Sequence, residues 1–187
     1  MNKPSPSEAK PKRLIIFMDC GDTIIDEGTE IRDEEGTVVR GDVIPGADVA
    51  VKTLAERGYR LAIVADGTAQ SFKNLLTGNG LYDCFETLIY SETIKASKPS
   101  PRMFKAAIGA MDLTDEDRSR IIMVGNNLSR DIRGANQLGI TSVFLSWTPR
   151  YPKMPADEWE VPQYTIGSPL ELVDLAESLN ERIADAG

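Results

Sequence analysis

The sequence has no histidine and only two cysteines, Cys20 and Cys84, among its 187 residues. The absence of histidine removes zinc sites and every catalytic triad that uses an imidazole base. Two cysteines without a C-x-x-C pair cannot form a disulfide framework. Catalysis by this chain therefore has to use Asp, Glu, Lys, Ser, Thr or Tyr side chains.

Basic charge and long apolar runs are also scarce. The chain has 21 Lys and Arg against 29 Asp and Glu, a net charge of −8, which disfavours nucleic acid and anionic membranes as partners. No apolar run approaches the ~20 residues that span a bilayer. Residues 1–12, MNKPSPSEAKPK, are polar, proline-rich and without the apolar region of a signal peptide. We therefore expect a disordered N-terminal lead and a cytoplasmic protein.

The remaining residues, 13–187, have the length and composition of one compact domain with its own core. Short apolar runs alternate with amphipathic segments along this domain, which predicts an α/β fold with a parallel sheet and helices on both faces. Strands are predicted at 14–18, 61–65, 85–90, 121–124, 141–145 and 164–166, and helices between Gly46 and Gly58, around 72–76, and at 103–111, 128–138 and 170–179. Ile31 and the pair at 38–39 flank an acidic turn, which predicts a small β-hairpin flap at about 28–41.

Four polar clusters lie after predicted strands, and they occupy residues 19–23, 65–68, 98–99 and 125–131. The first is the most distinctive, because the apolar run 14–18 leads directly into Asp19 and a turn-forming CGDT segment. A parallel sheet brings the carboxyl ends of its strands to one edge, so these clusters are expected to meet in one crevice.

The order and spacing of these clusters resemble the haloacid dehalogenase superfamily, a group of mainly magnesium-dependent phosphohydrolases with a Rossmann-like core. SKPSPRMF and IIMVGNNLSRDIRGANQLGI are similar to the third and fourth motifs of that family. The resemblance extends from Arg13 to the last predicted helix. It implies that this chain has the same fold and a related chemistry.

The resemblance implies that Asp19 is the nucleophile, with Lys98 steadying it and offsetting phosphate charge, and that Thr23 belongs to the catalytic motif. A carboxylate can act in this way because covalent catalysis divides one difficult displacement into two easier ones. The alternatives are an aspartate that caps a turn and a solvated lysine that precedes a helix.

For the substrate, the resemblance points to the second cluster. The backbone amides of Asp66 and Gly67, with Thr68 nearby, are expected to cradle a phosphate at a helix start.

The same comparison implies a Mg²⁺ site formed by Asp19, the backbone carbonyl of Gly21, Asn126 and Asp131. Magnesium prefers oxygen ligands and retains several waters, so a few protein oxygens are enough. The alternative is that Asn126 and Asn127 only shape a turn between a strand and a helix.

Three positions depart from the family pattern. Gly21 stands where the phosphatases have a second aspartate that acts as general acid and base, Ala65 replaces a hydroxyl residue, and Asn126 replaces an acidic metal ligand. Asp22 is adjacent to the missing acid, but its side chain is expected to point elsewhere. These departures predict a weakened site, and Gly21→Asp is expected to restore part of the ~10²–10⁴-fold contribution of acid–base catalysis.

The short connections between motifs leave no room for a cap domain, so only the hairpin at 29–40 can overhang an open crevice. We therefore predict a capless phosphatase-like hydrolase acting on a phosphorylated small molecule or a macromolecular phosphoester. The alternative is a catalytically degenerate protein that binds a phosphorylated ligand or a protein partner. Apolar residues in the hairpin and in the loop 147–159 also predict a homo-oligomer.

Overall fold

The computed structural model describes residues 14–185, and the lead predicted at 1–12 lies outside this range. Eight strands occur in the described residues: β1 (Ile15–Met18), β2 (Ile31–Arg32), β3 (Val38–Arg40), β4 (Arg60–Ala65), β5 (Thr87–Tyr90), β6 (Ile121–Gly125), β7 (Thr141–Leu145) and β8 (Tyr164–Ile166). Six of them form one sheet in the order β5-β4-β1-β6-β7-β8, and every neighbouring pair in it is parallel. β2 and β3 form a separate antiparallel hairpin.

The helices of the described residues are α1 (Ala47–Glu56), α2 (Ala69–Gly78), α3 (Ser91–Ile94), α4 (Pro101–Ala110), α5 (Arg133–Leu138) and α6 (Glu171–Asp185). Short 3-10 helices occur at Glu27–Thr29, Tyr82–Cys84, Asp115–Arg120 and Glu158–Glu160, and one π-helical turn occurs at Leu128–Ile132. None of the helices within 14–185 is long and apolar enough to cross a bilayer.

Helices cover both faces of the sheet. Successive residues of β1 alternate between the faces, so that Ile16 and Met18 belong to one apolar cluster and Ile15 and Phe17 to the other. The first cluster includes residues of α1, α2 and α6, whereas the second includes residues of α4 and α5. The predicted α/β fold, a Rossmann-like parallel sheet between two helical layers, is therefore confirmed.

β1 lies at the centre of the sheet, between β4 and β6. The chain segments that follow these three strands begin at Asp19, Asp66 and Asn126, and they share the carboxyl edge of the sheet. Between β1 and β4 the chain forms the hairpin and α1, and between β4 and α4 it forms α2, β5 and α3.

The hairpin is attached to α2 through its second strand. The backbone N–H of Val38 donates to Ser71 Oγ at 3.0 Å, and Asn74 Nδ2 donates to the carbonyl of Val38 at 2.9 Å. These contacts hold the hairpin beside the carboxyl edge of the sheet.

Two of the differences between the predicted and the observed elements have a local cause. The strand predicted at 85–90 begins at Thr87, because Phe85 ends the preceding 3-10 turn. The helix predicted at 128–138 begins with a π turn in which the carbonyl of Asn127 accepts from the N–H groups of Arg130, Asp131 and Ile132. This wide turn brings Asp131 back toward the end of β6.

Candidate active site

The polar clusters predicted to meet do converge, in a cleft of about 460 Å³ at the carboxyl edge of the sheet. The residues that line it come from the ends of β1, β4 and β6, from the hairpin, and from the loop after β7. They include Asp19, Gly21, Glu27, Arg32, Asp66, Gly67, Thr68, Lys98, Asn126, Arg130, Asp131, Arg150 and Tyr151.

Lys98 joins the nucleophile candidate to the fourth motif. Its Nζ donates to Asp19 Oδ1 at 2.7 Å and to Asp131 Oδ1 at 2.6 Å. The side chains of Lys98 and Asp131 are only 2% and 1% exposed, whereas that of Asp19 is 13% exposed. All three residues line the cleft, and Asp19 is the most exposed of them.

Burial and charge oppose each other at Lys98. Burial alone lowers the pKa of the ammonium, but Asp131, Asp19 and Asp66 outweigh it and hold the pKa above its ordinary value. For Asp131, burial raises the pKa of the carboxyl, Lys98 counteracts this, and the charge of Asp19 raises it further. Lys98 is thus a fixed cation between two carboxylates.

Gly125 permits the close approach of Asp131. A Cβ atom at position 125 would lie 2.3 Å from both Cγ and Oδ2 of Asp131, closer than any van der Waals contact. The Oδ2 atom also accepts from the backbone N–H of Asn127 at 3.0 Å. A glycine at the end of β6 is therefore a steric requirement of this carboxylate position.

We expect Gly125→Ala to lower the free energy of unfolding by about 1–3 kcal/mol, because Asp131 has to leave its place beside Lys98. Gly109→Ala is the matched control, since it lies in α4 with nothing within 4 Å of an added Cβ, and should stabilise by about 0.5–1 kcal/mol. Urea denaturation of both variants measures the difference. Equal effects of the two substitutions would contradict the steric role of Gly125.

Two groups of the predicted phosphate cradle, the Gly67 amide and the Thr68 hydroxyl, already have protein partners. Asp66 Oδ1 accepts from the backbone N–H of Lys98 at 3.0 Å, and the N–H of Gly67 donates to Ser91 Oγ at 2.9 Å. Thr68 is the N-cap of α2 and its hydroxyl donates to Ser71 Oγ at 2.7 Å. Phosphate binding at Gly67 would thus require displacement of the Ser91 hydroxyl, and this role stays a prediction.

Thr23 and Asp22 are both buried within the segment after β1. The Oγ1 atom of Thr23 has no hydrogen-bond partner among the described residues. Asp22 adopts a left-handed φ of 49° and forms a bidentate ion pair with Arg150, with distances of 2.6 and 3.0 Å. The carboxylate of Asp22 is thus directed toward the loop after β7, where Arg150 also pairs with Asp26.

The space beside Gly21 is filled by Glu27. An added Cβ at position 21 would lie 2.1 Å from Glu27 Oε1. Gly21 does not have a positive φ, so its backbone allows a side chain, but the Glu27 side chain has to move before an aspartate can be accommodated.

Glu27 and Tyr151 form a hydrogen-bonded pair. Tyr151 Oη lies 3.2 Å from Glu27 Oε2. Burial raises the pKa of the Glu27 carboxyl, as do the charges of Asp22 and Asp19. Burial and the charge of Glu27 raise the pKa of Tyr151 to about 12, so the phenol is protonated at neutral pH and donates to the carboxylate.

The oxygen atoms in the cleft are suitable for a hard divalent cation. Within 14–185 no three carboxylate, thiol or imidazole groups cluster as a metal site. The four residues predicted to hold Mg²⁺ all line the cleft, where they offer the carboxylates of Asp19 and Asp131, the Gly21 carbonyl and the Asn126 amide. Asn126 is buried, and its Nδ2 atom has no hydrogen-bond partner in the described part of the chain. If the side-chain amide of Asn126 is rotated by about 180°, its oxygen takes the position of the unpartnered Nδ2 atom. The donor set fits Mg²⁺ in kind, with two charged ligands.

Sequence reasoning missed Glu27, Arg150 and Tyr151. Glu27 lies in an acidic segment without a recognisable motif, and the other two lie in a loop whose path depends on tertiary packing. One feature of the sequence could have indicated Glu27. Because position 21 lacks the expected carboxylate, another acidic residue in the loop that follows is a candidate to replace it.

Comparisons with known proteins agree with this geometry. A family model described as haloacid dehalogenase-like hydrolase matches residues 23–145. The glyceraldehyde 3-phosphate phosphatase of Methanopyrus kandleri is 31% identical over 138 residues, which are 74% of this chain and 56% of that protein. The phosphoserine phosphatase of Thermus thermophilus is 31% identical over 135 residues, 72% of this chain and 51% of that protein.

Among solved structures, the HAD phosphatase of Thermococcus onnurineus aligns with a TM-score of 0.60 and 27% identity over 72% of this chain and 58% of that one. In each of these three alignments the chain spans just over half the length of the other protein.

Proposed function

The chain belongs to the haloacid dehalogenase-like hydrolase family, and from this premise we propose that it hydrolyses phosphate monoesters with Asp19 as nucleophile. The contact that carries the proposal is the 2.7 Å hydrogen bond between Lys98 Nζ and Asp19 Oδ1 at the carboxyl end of β1. It holds a partly exposed carboxylate at the cleft beside a permanent cation. A nucleophile for an anionic substrate needs such a cation.

In the proposed reaction an oxygen of Asp19 attacks the phosphorus atom, and the bond to the alcohol oxygen breaks as the new bond forms. The alcohol leaves with a proton, and Asp19 carries the phosphoryl group. Water then attacks phosphorus, releases inorganic phosphate and regenerates the carboxylate. Lys98 holds Asp19 in position during both displacements and offsets charge on the transferring group.

Mg²⁺ would be held by Asp19, the Gly21 carbonyl, Asn126 and Asp131, and it supplies charge stabilisation of the phosphoryl oxygens when bound. The buried, unpartnered amide of Asn126 supports this assignment. Since Asn126 contributes no charge, binding should be weaker than with a third carboxylate.

We expect Asn126→Asp to tighten Mg²⁺ binding roughly tenfold, because a charged oxygen replaces a neutral one. Asn127→Asp is the matched control: it adds the same charge next door, but the side-chain oxygen of Asn127 accepts from Ser129 and caps the π turn. Isothermal titration calorimetry of both variants and the wild type with Mg²⁺ measures the dissociation constants that test this prediction. If the dissociation constant is unchanged in Asn126→Asp, Asn126 is not a ligand.

The proposed substrate is a phosphorylated small molecule or a macromolecular phosphoester. Two relatives are named as phosphatases of glyceraldehyde 3-phosphate and phosphoserine, both small phosphate esters. The cleft is bordered by the hairpin and by Arg32 and Arg130, so it offers cationic groups for a second anionic group on the substrate. A homo-oligomer also stays a proposal, supported by the exposed side chains of Ile31, Val39 and Trp159.

A second candidate function is binding of a phosphorylated ligand without turnover, which the lack of a side chain at Gly21 favours. Phosphate release from a panel of phosphorylated metabolites, measured with and without Mg²⁺, separates the two. Turnover that depends on Mg²⁺ supports the hydrolase. Saturable binding of a panel member with no phosphate release would establish the binding protein instead.

A further inference from the structure

We propose that Glu27 is the general acid and base of this site and replaces the carboxylate that Gly21 lacks. The inference rests on the proposed phosphatase function and identifies a residue that the reaction needs. It starts from the position of the Glu27 carboxylate in the cleft that also contains Asp19.

The first support is steric. Oε1 of Glu27 lies 2.1 Å from the point where a Cβ atom at position 21 would be, and Cδ lies 3.0 Å from it. The carboxylate of Glu27 therefore occupies the volume into which a side chain at position 21 would extend. A longer side chain from the following turn thus places an acid on the same side of the cleft.

The second support is the way Glu27 is held. Its backbone N–H donates to Asp22 Oδ1 at 3.0 Å, and its Oε2 is the acceptor for Tyr151 Oη at 3.2 Å. Asp26 caps the 3-10 turn in which Glu27 lies. Backbone and side chain are thus both fixed, and Oε1 is the oxygen that faces Gly21.

The third support comes from the other carboxylates around the cleft, each of which has a partner that fixes its role. Asp22 pairs with Arg150 and Glu30 pairs with Arg32. Asp66 pairs with Arg130 at 3.7 Å and accepts from the backbone N–H of Lys98, and the remaining pair, Asp19 and Asp131, shares the Lys98 ammonium. Glu27 differs from all of them, because the side chain that contacts its carboxylate is a neutral phenol.

The proton transfers balance in both half-reactions. The carboxyl group of Glu27 gives its proton to the alcohol oxygen as the bond between that oxygen and phosphorus breaks. The resulting carboxylate then removes a proton from the attacking water as the bond between phosphorus and Asp19 breaks. Glu27 is protonated again at the end of the cycle.

The test compares two substrates that differ in their need for a proton. Glycerol phosphate has a poor leaving group, whereas p-nitrophenyl phosphate has one that departs without protonation. We expect Glu27→Gln to lower kcat for glycerol phosphate by ~10²–10⁴-fold. With p-nitrophenyl phosphate, the variant should release one burst of nitrophenolate per active site and accumulate phosphorylated Asp19, because water activation is lost.

The matched control is Glu34→Gln, which removes the same charge from an exposed position in the hairpin turn and should leave both rates unchanged. The double variant Glu27→Ala with Gly21→Asp returns a carboxylate to the same space and should recover most of the glycerol phosphate rate. It also keeps the proposal testable if Glu27→Gln does not fold.

A Glu27→Gln enzyme that folds and shows equal losses on both substrates without a burst, or no loss, overturns the role of Glu27 while leaving the phosphatase function intact. A folded double variant that recovers no rate also overturns it. If the wild type shows no turnover that depends on Asp19, the proposed phosphatase function is wrong, and the role of Glu27, which rests on it, is then wrong as well.

Discussion

Asp19→Asn is expected to abolish phosphate ester hydrolysis, with a loss of up to about 10⁶-fold in kcat, because an amide cannot form the covalent phosphoryl intermediate. The fold should be retained, since Lys98 keeps its contact with Asp131 at 2.6 Å. Steady-state kinetics measures the loss. Intact mass spectrometry after a rapid acid quench tests whether phosphoryl transfer to the protein disappears with it.

A suitable control for this prediction is Asp112→Asn. It makes the same substitution at an exposed residue with a φ of 53°, a conformation that asparagine tolerates well. Its rate should equal that of the wild type. Hydrolysis that persists in purified Asp19→Asn at a rate close to that of the control would exclude the covalent mechanism.

Lys98→Met is expected to have the largest effect on stability, a loss of about 3–5 kcal/mol in the free energy of unfolding. The substitution keeps an unbranched side chain of similar length but leaves two carboxylates, Asp19 and Asp131, facing each other without a cation. Both lie in or near the interior, with side chains 13% and 1% exposed. Chemical denaturation in the absence of divalent cations measures this loss.

Two further variants isolate the electrostatic cause. Lys105→Met makes the same change at an exposed position of α4 and should cost little. Lys98→Met combined with Asp131→Asn removes one of the two opposed charges and should recover part of the stability, which a double-mutant cycle quantifies. Similar losses for Lys98→Met and Lys105→Met would show that the buried cation is not needed to hold the carboxylates.

The fold could be predicted from the sequence because local pattern and tertiary structure agree. β7 and β8 have the predicted bounds, since short runs rich in β-branched and aromatic residues are bounded by turn-forming residues. Lys98 and Asp131 could be assigned to a shared site because parallel strands deliver their polar ends to one edge. In the structure the carboxylates of Asp19 and Asp131 both accept from the Lys98 Nζ atom.

The rest of the site depends on contacts that no local pattern encodes. Tyr151 reaches Glu27, and Arg150 reaches Asp22, only because the loop after β7 folds over the end of β1. The π turn at Leu128–Ile132 was also missed, since its apolar spacing is typical of an ordinary helix. The sequence also did not show what occupies the space beside Gly21. We interpreted Gly21 as the loss of a carboxylate, whereas in the structure the Glu27 side chain fills the volume that a side chain at position 21 would take.

The central place of β1 also determines when the site can form during folding. Ile15 is paired with Arg60 on one side and with Ile121 on the other, so the second pairing closes a long stretch of chain. Long-range parallel pairing forms slowly, because loop-closure entropy is lost before contact energy is gained. We expect the Asp19 and Asp131 carboxylates to meet at Lys98 only after β6 has joined β1. In refolding from denaturant, the phosphate ester hydrolysis that we propose should thus return with the last cooperative phase and not with early helix formation.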